Sequence, residues 1–135
     1  MKTDYLTLRE NFRTGIDPVD EQHREMIECY NDLERAVATA APQEARVTAL
    51  YSLADATRRH FRFEENLLEA NDYPDLERHR SEHENLLEQI DDWATRLRDG
   101  ELNLTRDTMR LIREWLLDHM VGSDQHYVAH IRHVD

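Results

Sequence analysis

Seven side chains of metal-binding type stand at helical spacings in this chain: His23, then His60 and Glu64, then His79 and His83, then His119 and Asp124. Residues four apart on a helix lie about one turn apart on one face, so His60 with Glu64, and His79 with His83, can each aim two donors at a common centre. His119 and Asp124 are five apart, which an ideal helix separates around its cylinder, and Gly122 between them could permit a local change of winding. Five imidazoles and two carboxylates exceed the four ligands that close a zinc site. Two octahedral-tending metals bridged by the carboxylates would use them all. Imidazole with some carboxylate suits iron, and a shell poorer in anionic ligands than the Glu-rich di-iron bundles argues for binding over oxygen activation.

The elements that must position these groups follow from the breaks in the chain. Residues 1–17 lack clear periodicity and read as an N-terminal arm, with Asp17 expected to cap and Pro18 to open the first helix. Helices are expected at about 18–40, 43–70, 75–98 and 106–131, separated at Ala40-Ala41-Pro42, Asn71 to Asp75 and Asp99-Gly100. Each has one inward stripe, carrying Val19, Met26, Tyr30, Leu33 and Val37 on the first, and Leu50, Leu53, Thr57, Phe61, Leu67 and Leu68 on the second. Leu76, Leu86, Leu87, Ile90, Ala94 and Leu97 follow on the third, then Met109, Ile112, Trp115, Leu116, Met120 and Tyr127 on the fourth. The candidate ligands fall on these same stripes, where a polar group without a partner is costly to bury. Four helices with short connections predict an all-α, antiparallel up-down-up-down four-helix bundle.

Composition agrees and excludes. The 135 residues suit one domain, 1–135, and only 3 Gly and 3 Pro occur among abundant helix formers. A formal charge of -12 repels nucleic acid and anionic membrane surfaces. No apolar run approaches the roughly 20 residues of a membrane span. The lone Cys29 cannot pair within the chain and reads as a partly packed thiol, and the first ten residues offer no apolar leader, so a cytoplasmic protein is expected.

The ordered pattern of a lone histidine, HxxxE, HxxxH and HxxxxD on successive helices resembles the hemerythrin family over roughly residues 11 to 130. Gly15-Ile16-Asp17, Asp20-Glu21-Gln22-His23 and Tyr73-Pro74-Asp75 strengthen the resemblance. It implies two non-haem irons, oxo- or hydroxo-bridged, with His79, His83 and His119 on one and His23 and His60 on the other. Glu64 and Asp124 would bridge them, and the iron with two histidines would keep an open position for dioxygen. Phe61, Trp115, Leu116, Met26 and Met120 are expected to wall that pocket against water.

The reading is therefore a dioxygen carrier, store or buffer that turns no substrate over. The alternatives are an oxygen or redox sensor acting through a separate protein partner, and a di-iron enzyme reducing peroxide, dioxygen or nitric oxide with an electron donor. Tyr127 lies outside the expected metal shell and reads as a packing residue or one that orients a ligand or faces the pocket, and His126, His130 and His133 read as a histidine cluster near a helix C-terminus, where imidazolium favours the dipole.

Overall fold

In the computed structural model, which describes residues 14–120, 127, 128 and 131, four helices follow one another and no described residue is in a strand. They are α1 (Asp17–Ala38), α2 (Gln43–Ala70), α3 (Leu76–Arg98) and α4 (Arg106–Asp118). His119 and Met120 continue α4 as a π-helical turn, and Tyr127, Val128 and Ile131 are helical again. Residues 1–13 of the expected arm, together with Asp124, His126, His130 and His133, lie outside the described residues.

Three helix ends share one device. Ala41 N–H donates to Ala36 O, Tyr73 N–H to Leu68 O and Glu101 N–H to Arg96 O, each closing a Schellman loop around a residue of positive φ. Those residues are Ala40 at 53°, Asp72 at 51° and Gly100 at 76°. The start of α1 differs from expectation. Asp17 is the first helical residue and Ile16 takes the cap position with no side-chain cap. The carboxylate of Asp20, one turn in, reaches back instead and accepts from Thr14 N–H (2.7 Å), Thr14 Oγ1 (2.9 Å) and Gly15 N–H (3.1 Å). α4 opens on Thr105, whose hydroxyl accepts from Thr108 N–H at 3.2 Å.

The apolar stripes meet in two clusters. The larger joins Met26, Ile27, Tyr30 and Leu33 of α1 to Leu50, Leu53, Ala54 and Ala56 of α2, Ile90, Ala94 and Leu97 of α3, and Met109, Ile112 and Leu116 of α4, with Met120. The smaller joins Leu68, Tyr127 and Val128, with Ile16, Tyr73, Leu76 and Ile131 at its margin. Each fully buried large apolar side chain contributes about 1.5–3 kcal/mol. Along every helix the candidate ligands fall between the parts that build the two clusters or at their boundary, so the bundle holds a polar layer between two dry ones. No described helix is long and apolar enough to cross a membrane.

Candidate metal centre

Glu64 forms the middle of the polar layer. Its side chain is fully buried, as are those of His23 and His60, and His79, His83 and His119 are at most 5% exposed. The two carboxylate oxygens face different groups. Oε2 lies 3.0 Å from His60 Nε2, whose other close neighbour is His23 Nε2 at 3.1 Å. Oε1 receives His79 Nε2 in a short contact and His83 Nε2 at 2.9 Å, with His119 Nε2 at 3.8 Å. The ligand atoms thus gather into two sets, His23, His60, Glu64 and Glu64, His79, His83, each within 4.8 Å and each able to hold a metal ion.

These separations test whether a metal fits. Two donors on one ion at about 2.0–2.1 Å and a right angle lie about 3 Å apart. The 3.1, 3.0 and 2.9 Å separations are of that size, and all the donors are nitrogen or oxygen of the borderline kind that iron accepts. The imidazole faces also match: each histidine turns Nε2 inward, which leaves Nδ1 for a second partner.

Those second partners orient the rings. His60 Nδ1 lies 2.7 Å from Gln22 Oε1, and His83 Nδ1 lies 2.8 Å from Glu65 Oε2. An imidazole held at Nδ1 in this way keeps its orientation, and a metal binding there would displace the proton that Nε2 shares with Glu64. Tyr127 Oη donates to Glu64 Oε2 at 3.1 Å and pins the shared carboxylate from a third side. Phe61 stacks flat on His83, with centroids 3.8 Å apart and planes 3° from parallel, and also tilts against His119 at 4.6 Å.

Comparison with known proteins matches this arrangement. The family profile described as the hemerythrin HHE cation binding domain matches residues 14–131. The chain belongs to the hemerythrin family. The bacteriohemerythrin of Stenotrophomonas maltophilia is 32% identical over 94% of this chain and 82% of its own length. That of Methylococcus capsulatus is 30% identical over 86% and 88%, and the myohemerythrin of Theromyzon tessulatum is 24% identical over 87% of each. Among solved structures, a wild-type hemerythrin crystal structure shares 28% identity with a TM-score of 0.78, covering 86% of this chain and 88% of that one. A leucine-to-alanine hemerythrin variant superposes with a TM-score of 0.85 over 96% of this chain and 98% of its own.

Within this hemerythrin, six of the seven residues singled out by their spacing come together around Glu64: His23, His60, His79, His83, His119 and Glu64 itself. Asp124 is not among the described residues. Of the apolar set, Met26, Phe61, Leu116 and Met120 are buried, and Phe61 touches the histidines directly. Trp115 departs from the rest. It is half-buried and packs edge-on against Trp93 at 6.1 Å, at the margin of the large cluster, with its indole Nε1 buried.

Burial by itself would push the Glu64 carboxyl up, but hydrogen bonds from His60, His79 and His83 outweigh it and hold the group well below the usual carboxylate range. The anion at the centre is therefore a stable one. Reading the spacing alone missed two residues that orient the ligands, Gln22 and Glu65, although Gln22 directly precedes His23 and Glu65 directly follows Glu64. Tyr127, open in the sequence between packing and orienting a ligand, does both, buried and hydrogen-bonded to Glu64.

Proposed function

We propose that this hemerythrin binds dioxygen reversibly at a non-haem di-iron centre, as a carrier, store or buffer. His23 and His60 would hold one iron and His79, His83 and His119 the other, with Glu64 and Asp124 bridging. The observation that carries the reading is the division of Glu64, whose Oε2 faces His60 while Oε1 faces His79 and His83. A carboxylate with separate histidine sets on its two oxygens is placed to bridge two ions.

When bound, the iron pair supplies the electrons that dioxygen takes up on binding and returns on release. The chain's own residues serve the reversibility. Gln22, Glu65 and Tyr127 hold His60, His83 and Glu64 in place, so that little reorganisation accompanies the change of charge. Phe61, Met26, Leu116 and Met120 put apolar atoms around the ligands and exclude the water and protons that would drive irreversible oxidation. Trp115, at the bundle's margin, is the expected outer wall of this pocket.

Iron content tests the assignment. The wild-type protein should hold two irons per chain. His60→Ala and His79→Ala should each lose metal and stability, since each leaves buried polar groups around Glu64 unpaired. Full iron content in either variant would sink the ligand assignment.

A further inference from the structure

Two of the rings have second partners of different charge. His60 Nδ1 faces the neutral amide oxygen of Gln22 at 2.7 Å. His83 gives its Nδ1–H to a carboxylate, Glu65 Oε2, at 2.8 Å. Glu65 is itself engaged from outside, since its Oε1 lies 3.5 Å from Arg80 Nε. Arg80 also contacts Glu69 (3.2 Å) and Glu77 (2.6 Å), so its charge is shared among three carboxylates.

A carboxylate acceptor draws the Nδ1 proton outward and raises the basicity of the opposite nitrogen more than an amide oxygen does. A more basic Nε2 donates more charge to a metal and favours its higher oxidation state. Arg80 works against this, because it competes with His83 for the charge of Glu65. Phe61, flat against the His83 ring, keeps that ring from turning away from Glu65.

We infer that Glu65 is a positioning residue that acts through His83 to lower the potential of the iron pair, with Arg80 setting how strongly. This rests on the di-iron reading given above. It assigns to the residue after the bridging glutamate a tuning role distinct from metal binding, and to the half-buried Arg80 an influence on a centre it does not touch.

The test is the midpoint potential of the iron-loaded protein, measured by spectroelectrochemical titration alongside iron content. Glu65→Gln keeps the size of the side chain and an acceptor oxygen but removes the charge. With two irons still bound, it should shift the oxidation equilibrium about tenfold toward the reduced state, about 59 mV for a one-electron step. Arg80→Gln should move the potential the opposite way, since it frees the charge of Glu65. Gln22→Glu should also lower it, by placing a carboxylate behind His60. If Glu65→Gln fails to load iron, the signs of the other two shifts decide. A potential unchanged or lowered in Glu65→Gln, or unmoved in both other variants, overturns the inference and leaves the di-iron reading intact. A wild-type chain that does not take up two irons overturns the di-iron reading itself, and the inference with it.

Discussion

Glu64 and its neighbours show how buried charge is made tolerable. A fully buried carboxylate accepts from three imidazoles and a phenol, and each donor is in turn packed or hydrogen-bonded from behind. Because Tyr127 is fully buried and its hydroxyl reaches a charged acceptor, Tyr127→Phe should cost about 1.5–3 kcal/mol in urea denaturation of the metal-free protein, without loss of the surrounding apolar contacts. An unchanged denaturation midpoint would remove Tyr127 from the set of orienting residues. The pH dependence has a definite sign. Glu64 is held below its ordinary value when folded, so its contribution is present at and above about pH 4.3 and is lost as pH falls through the lower folded value. Metal-free Glu64→Gln should therefore lose less stability than the wild type between about pH 4.3 and pH 2. At this scale the sequence exposed the donors, because histidine and glutamate on apolar stripes are conspicuous. It marked the orienting groups only weakly: Gln22 and Glu65 adjoin ligands but are ordinary on the polar faces of their helices, and Tyr127 could equally have been a packing residue.

The helices are placed by chemistry at their ends as much as by their stripes. The three Schellman loops put Ala40, Asp72 and Gly100 in the left-handed region, which is free for glycine, tolerable for aspartate and strained for alanine. Ala40→Gly should therefore stabilise the protein by up to about 1 kcal/mol, and Gly100→Ala should cost about 1 kcal/mol. No atom lies within 4 Å of a Cβ placed on Gly100, so that cost would be backbone strain alone. Thermal unfolding of the two variants measures both, and equal melting temperatures would contradict the strain argument. The breaks themselves were legible from Pro42, Pro74 and Gly100, and the scarcity of glycine and proline elsewhere made an all-helical chain legible too. Which residue takes positive φ was legible only at Gly100, because neither alanine nor aspartate announces such a position. The reach of Asp20 back to Thr14 was equally hidden: the aspartate that looked like a cap by its place before Pro18 is already helical, and the one a turn later does the work.

The described residues form a bundle with a polar layer between two apolar ones, and the proposed function depends on that stacking. The large cluster, with Met26, Leu116 and Met120 at its boundary with the ligands, keeps water from one side; Leu68, Tyr127 and Val128 close the other. Membership in the hemerythrin family and the division of Glu64 between two histidine sets fit a di-iron, oxygen-binding protein, and the proposed reversible capture of dioxygen would need such a dry layer. The most direct measurement is the visible absorption spectrum of the iron-loaded, anaerobically reduced protein, recorded before air, after air and after removal of oxygen. The account predicts a charge-transfer band that appears with air and disappears on deoxygenation, over repeated cycles. A protein that passes directly and irreversibly to the ferric state, with no such band, would contradict it.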